Sequence, residues 1–187
     1  MSVTRRAAVF LDRDGVINAN RADYVRAWDQ LEILPGVLAA LAVLAASDFR
    51  VVVVTNQSSV GRMLLDPQVL EEIHARLQAE IQRHAGRIDA IYCCPHTPEA
   101  GCNCRKPRPG LLLRAAEELE LDLSRSYLVG DAVTDLQAAL AAGCQPVLVQ
   151  TGRGQVQMHS LSDEMRALCW ITADLYEAVQ RIMVEEV

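Results

Sequence analysis

The chain has 187 residues, a formal net charge of -6, and 51% hydrophobic residues of which few are aromatic. That length suits one domain with a sizeable core, and the acidic balance excludes a global basic field of the kind that draws nucleic acid or an anionic membrane. A core made of Ala, Val, Leu and Ile is what alternating helices and parallel strands build.

Taken in order, Met1-Ser2-Val3-Thr4-Arg5-Arg6 has neither a long apolar region nor a cleavage signature, and no stretch is apolar over a membrane-spanning length. A soluble, cytoplasmic protein is expected. Ala7-Ala8-Val9-Phe10-Leu11 reads as a first, central strand, ending in Asp12-Arg13-Asp14-Gly15. Two acids one residue apart beside a glycine make either a plain turn or a catalytic pair that shares a metal ion. Residues Asn18 to Ile33 show no sustained period, and Asp23-Tyr24-Val25 with Trp28 suggests a flap over the strand end.

A helix is expected from Leu34-Pro35-Gly36 to Ser47-Asp48, and Arg50 to Thr55, with four consecutive valines, is a second strand. It ends in Thr55-Asn56-Gln57-Ser58-Ser59, all hydrogen-bonding side chains. Asp66-Pro67 caps a helix through about His84, on which His74 and His84 read as solvated or packing residues. Ile88 to Cys93 is a third strand, and Pro109-Gly110 starts a helix through about Leu119. Ser126 to Asp131 repeats the opening theme, with Asp135 at the start of a helix closed by Gly143. Pro146 to Gln150 is a strand leading to a flexible basic tip, Thr151-Gly152-Arg153-Gly154. Cys169-Trp170-Ile171 and an amphipathic helix from Asp174 to Met183 complete the chain.

Strands alternating with helices predict an α/β, Rossmann-like parallel sheet with helices on both faces, as a single domain over residues 1–187. Ligands of such sheets bind beyond the carboxyl ends of the strands. The polar clusters sit at those ends: Asp12 and Asp14, Thr55 to Ser58, Asp131 and Asp135, with Lys106 on a loop. Lys106 is the single lysine in a chain that otherwise uses arginine, which marks it for a place that wants a compact ammonium. Carboxylates gathered in a small volume call for a cation, and Mg2+ takes carboxylates, water and phosphate oxygens. Asp12 and Asp131 are its expected side-chain ligands and Asp14 its backbone ligand. Asp135 is either a ligand through water or a helix-start residue favoured by the dipole.

Of six cysteines, four crowd one segment. Cys94-Pro95-His96 and Cys102-Asn103-Cys104 offer three sulfurs and one imidazole, the donor set of a closed, structural Zn2+ site. Cys93 belongs to the strand, and Cys144 and Cys169 read as buried thiols. This zinc loop, about residues 93–105, leads directly into Arg105-Lys106-Pro107-Arg108-Pro109-Gly110, so metal binding would fix the basic groups.

The ordered set Asp12-x-Asp14-Gly15, Thr55, Lys106 and Gly130-Asp131-x-x-x-Asp135 resembles the four motifs of the haloacid dehalogenase (HAD) superfamily of phosphatases over roughly the first 150 residues. The resemblance implies Asp12 as nucleophile, Asp14 as acid/base, Thr55 and Lys106 as further catalytic residues, and catalytic Mg2+. No insertion is long enough for a large cap domain, so the zinc loop and the Asn18 to Ile33 segment shape the pocket. Zinc loop and Arg105-Lys106-Pro107 together resemble two phosphatase branches, one acting on heptose bisphosphate in bacterial heptose and lipopolysaccharide biosynthesis, one on histidinol phosphate. Asn56-Gln57-Ser58 looks more like the heptose branch, because the other carries an Asp where Ser58 stands. The implied reaction is removal of the 7-phosphate of D-glycero-D-manno-heptose 1,7-bisphosphate, with Asn56, Gln57, Ser58, Arg62, Arg105 and Lys106 as substrate contacts and Arg108 and Arg153 as further basic groups. A histidinol-phosphate or broad sugar phosphatase, or a non-catalytic zinc-stabilised module, are the alternatives. A monomer acting on a small phosphorylated sugar is expected, with no nucleic acid or membrane as partner. Two departures stand out: Ser59-Val60-Gly61-Arg62-Met63 where the heptose branch often has Gly-Ile-Ala-Arg-Gly after the Ser, and Ala132 where some relatives have Lys.

Overall fold

A computed structural model describes residues 5–185; Met1 to Thr4 of the N-terminal reading and the last two residues lie outside them. Among the described residues the apolar runs form six parallel strands, β1 (Ala8–Leu11), β2 (Arg50–Asn56), β3 (Ala90–Cys94), β4 (Tyr127–Gly130), β5 (Gln145–Val149) and β6 (Trp170–Thr172). Their spatial order is β3-β2-β1-β4-β5-β6. The chain therefore builds outward from β1 on one side, then returns beside it and builds outward on the other. That reversal opens a crevice between the ends of β1 and β4, where ligands of such sheets bind.

The helices are α1 (Val37–Ala45), α2 (Ser58–Gly61), α3 (Pro67–Arg83), α4 (Gly110–Glu118), α5 (Val133–Ala142), α6 (Gly154–Gln157), α7 (Asp163–Leu168) and α8 (Leu175–Glu185). Strand side chains alternate between faces. Val9, Leu11, Val51, Val53 and Val129 pack with α1, α8 and the end of α3, while Ala8, Phe10, Val52, Val54 and Leu128 pack with α4 and α5. Each fully buried Val or Leu contributes roughly 1.5–3 kcal/mol, so these two apolar layers fix the strands. The α/β sheet with helices on both faces is thus as expected.

Several boundaries differ. β3 starts at Ala90 rather than Ile88 because Asp89 is tied by its side chain, to Arg50 Nη1 and the Val51 amide at 2.8 Å each. It runs on to Cys94, which pairs with Asn56, so that a zinc-ligand candidate is the last strand residue. Three short helices, α2, α6 and α7, were not expected; one or two turns give no readable period. α7 did carry a signal, since Ser162 caps it by accepting from the Met165 amide at 3.2 Å. The Thr151 to Gly154 tip is a tied turn rather than a flexible one: Thr151 Oγ1 donates to the Gly15 carbonyl at 2.6 Å, and the Arg153 amide donates to Asp131 Oδ2 at 2.8 Å. Between Asn18 and Ile33 the chain makes a single 3-10 turn, Trp28–Gln30, and Val25 packs on Leu65, Leu70 and Ile73.

Candidate active site

At the carboxyl ends of β1, β2 and β4 lies a cleft of about 750 Å3. Its floor holds Asp12, Thr55, Lys106, Asp131 and Asp135. Asn20, Tyr24 and Val25 of the early loop and Pro98 and Arg105 of the cysteine loop form part of its wall. The first sequence cluster comes from β1, the second from β2, the third from the loop before α4, and the fourth from β4 and α5.

Lys106 is the centre of charge. Its Nζ lies 2.8 Å from Asp12 Oδ1, 2.6 Å from Asp135 Oδ1 and 2.8 Å from the Val54 carbonyl. Burial alone would lower its pKa, but the two carboxylates outweigh it and hold the ammonium charged. Burial pushes Asp12 up to about 6, with Lys106 opposing and Asp135 adding to the rise. Asp135 also accepts from the Ala132 amide at 3.1 Å, and it sits in the first turn of α5 beside Asp12 and Asp131. Gly130 lets it approach, for a Cβ there would overlap the Asp135 side chain.

Asp131 is fully buried and held on one side. Its Oδ2 accepts from Asn20 Nδ2 at 2.6 Å and from the Arg153 amide at 2.8 Å, while Oδ1 has no hydrogen-bond partner among the described residues. Burial, and after it Asp12, raise its pKa. Oxygens of Asp12, Asp131 and Asp135 lie within 4.8 Å of one another. An orphaned buried carboxylate oxygen beside two more carboxylates is a donor set that fits a hard divalent cation. Gly15 (φ 96°) and Gly152 (φ 57°) close around Asp131, and a Cβ on either would overlap its Oδ2 and the Asn20 amide.

Asp14 lines the same cleft, but a separate set of donors holds its carboxylate. Arg13 Nη2 donates to both its oxygens at 3.0 and 2.9 Å, Asn18 Nδ2 to Oδ1 at 2.8 Å, and Gln57 Nε2 to Oδ2 at 2.6 Å. Burial would raise its pKa, but Arg13 and these donors outweigh that and hold it below the usual carboxylate range. Arg13, fully buried, went unnoticed in sequence because an arginine between two acids reads as surface charge. Its partner His74, expected to be a solvated or packing residue, meets Arg13 Nη1 at 3.1 Å. Asn20 was missed as well, since nothing in its local pattern points to Asp131.

The expected contacts divide. Gln57, Ser58 and Arg105 line the cleft with Asn56, whose amide brackets the Lys106 peptide through two 3.2 Å bonds. Arg153 lines it too, its side chain 64% exposed. Arg62 is exposed and does not line it, and Arg108 turns back to the carbonyls of Gly101 and Cys102. Thr55 Oγ1 accepts from Gln57 Nε2 at 3.0 Å.

Beside the cleft, Cys94, His96, Cys102 and Cys104 converge. Sulfur separations are 3.3–3.6 Å and the His96 Nδ1 to Cys104 Sγ distance is 3.3 Å. Zn–S bonds of about 2.3 Å in a tetrahedron set sulfurs about 3.8 Å apart, so the four atoms already stand close to a tetrahedral cage. The three cysteines of this group form no disulfide. Cys144 and Cys169 are buried apart from it, as expected.

Comparison with known proteins points the same way. The family model described as haloacid dehalogenase-like hydrolase matches residues 3–140, and a HAD hydrolase-like model matches residues 103–178. The D-glycero-beta-D-manno-heptose-1,7-bisphosphate 7-phosphatase of Pseudomonas aeruginosa is 45% identical over 149 residues, 80% of this chain and 84% of that protein. Its namesake in Neisseria meningitidis serogroup A is 38% identical over 177 residues, 95% of each chain. The crystal structure of D,D-heptose 1,7-bisphosphate phosphatase from B. bronchiseptica, complexed with magnesium and phosphate, matches with a TM-score of 0.90 at 39% identity, covering 96% of this chain and 99% of that one.

Proposed function

This chain belongs to the haloacid dehalogenase-like hydrolases, and from that premise we propose that it is a phosphatase that removes the 7-phosphate of D-glycero-D-manno-heptose 1,7-bisphosphate. The observation that carries the reading is the meeting of Asp12, Lys106 and Asp131 at one sheet edge, in a chain 38% identical over 95% of its length to a phosphatase of that name.

Asp12 attacks phosphorus and forms an aspartyl phosphate that water later cleaves. Lys106 holds it as a carboxylate and offers positive charge where the transferring group's oxygens gather. Thr55 supplies a hydroxyl at the same floor. Asp14 gives a proton to the leaving oxygen and afterwards takes one from the attacking water. Its low pKa in the free protein favours the carboxylate; the charge of an arriving phosphate favours the protonated form. Mg2+ would be held by the carboxylates of Asp12 and Asp131 with the backbone of Asp14, and would neutralise phosphate oxygens there. Asp135 supports Lys106. Arg105 and Arg153, at the cleft wall, face the second phosphate.

Zn2+ on Cys94, His96, Cys102 and Cys104 is structural, because four protein ligands leave no open position. The enzyme acts as a monomer in the cytoplasm, with neither nucleic acid nor a membrane as partner. Among the described residues no helix is long and apolar enough to cross a membrane. Steady-state assays with the heptose bisphosphate and histidinol phosphate test the substrate. A higher kcat/KM for histidinol phosphate would reject it.

A further inference from the structure

Arg13 stands between the two acids in sequence, yet its side chain is fully buried and its hydrogen bonds go to Asp14 and His74. Nη2 meets both oxygens of Asp14, and Nη1 meets His74 Nε2 at 3.1 Å. His74 belongs to α3, on the turn between the buried Leu70 and Leu77. The helix that packs the sheet therefore also holds the far end of the guanidinium.

A guanidinium donates and cannot accept, so Nε2 is the accepting nitrogen and the ring proton sits on Nδ1. Burial, and then the charge of Arg13, hold the imidazole down at about 4, which keeps that acceptor available. Charge balance alone does not account for the arrangement. Lys106 already serves Asp12 and Asp135, and Asp14 has amide donors in Asn18 and Gln57. An ammonium could balance one charge, but it has no planar fork to join Asp14 to His74.

The geometry points to His74 and Arg13 as positioning residues for Asp14: the imidazole fixes the plane of the guanidinium, and the guanidinium fixes the carboxylate that serves the leaving oxygen. This rests on the phosphatase reading above. In that reaction a bond forms between Asp12 and phosphorus as the ester P–O bond breaks. The electron pair goes to the ester oxygen, which takes the proton from Asp14. A sugar alkoxide needs that proton, whereas the phenolate of p-nitrophenyl phosphate leaves without one.

The test compares these two esters in the full chain with Mg2+, for wild type, His74→Leu and His74→Gln, with thermal melts alongside. His74→Leu lowers kcat on the sugar bisphosphate by about tenfold or more with KM within about twofold, and kcat on p-nitrophenyl phosphate by less than about threefold. His74→Gln, which keeps an oxygen acceptor, recovers most of the loss. Equal losses on both esters, or none on either, overturn the assignment. Should His74→Leu fail to fold, His74→Gln and Arg13→Lys carry the comparison: the first stays near wild type and the second shows the ester-selective loss. Wild type inactive on both esters would reject the phosphatase reading itself, and the positioning role with it; wild-type turnover with equal losses in the variants would reject the positioning role alone.

Discussion

Lys106 Nζ stands 2.8 Å from Asp12 Oδ1, so the chain's single lysine is bonded to the residue assigned to attack phosphorus. Removing it leaves Asp12 and Asp135 buried together without a counter-charge, and breaking a buried pair on one side costs about 3–5 kcal/mol. Lys106→Met should lower the urea midpoint of metal-free protein and reduce kcat/KM by at least about 100-fold. Lys106→Arg should not restore activity, because the pocket holds a compact ammonium. Near-normal turnover by either variant would remove Lys106 from the chemistry.

Asp12→Asn keeps the volume and loses the nucleophile. Turnover should fall at least about 1000-fold while the melting temperature stays within a few degrees of wild type. Phosphate release under single-turnover conditions checks it; substantial residual activity would mean that another residue attacks.

Gly152→Ala puts a methyl group against Asp131 Oδ2 and the Asn20 amide, at a φ of 57°. The carboxylate must shift, and overpacking of this kind costs about 1–3 kcal/mol. The Mg2+ concentration for half-maximal activity should rise about 10-fold or more. An unchanged metal requirement in a folded variant would dissociate this turn from the carboxylate group.

His74 gives the protein a pH dependence of definite sign. Its folded-state pKa is lowered from 6.5 to about 4, by burial first and Arg13 second. The folded state therefore binds this proton less readily than the unfolded chain. Stability from the neutral ring is complete above pH 6.5 and is lost as pH falls toward 4. The loss is at most about 3 kcal/mol, and partial exposure of the ring reduces it. Urea midpoints across that window should fall more steeply for wild type than for His74→Gln. Parallel curves would contradict the assignment.

Protein purified without added metal should carry about one zinc per chain. Stripping it, or Cys102→Ser, should lower the melting temperature and reduce sugar bisphosphate turnover about 10-fold or more, since the loop leads directly to Arg105 and Lys106. Metal-free protein with four reactive loop thiols and full activity would make the cluster incidental.

Much of this architecture was legible because each strand is a continuous apolar run that ends abruptly in polar residues: Leu11 before Asp12, Val54 before Thr55, Gly130 before Asp131. A parallel sheet then brings these ends together whatever their distance in sequence. The convergence of Cys94, His96, Cys102 and Cys104 was legible because the four donors lie within eleven consecutive residues. What stayed hidden depends on three-dimensional reach. Nothing local to Asn20 anticipates a bond across 111 positions to Asp131, and nothing local to His74 anticipates one across 61 positions to Arg13. Short helices α2, α6 and α7 lack the repeats that reveal a period, and the Thr151 to Gly154 turn looked loose because its ties are to another part of the chain.

The burial of Lys106 has a consequence outside catalysis. With Lys106 only 3% exposed and its ε-amine engaged by two carboxylates, the protein presents no lysine to solvent. Amine-directed acylation, carbamylation and cross-linking have no side chain to modify on the outer surface. Any reagent adduct at Lys106 would therefore report entry into the cleft, making the residue a built-in chemical probe of whether the pocket is open or filled.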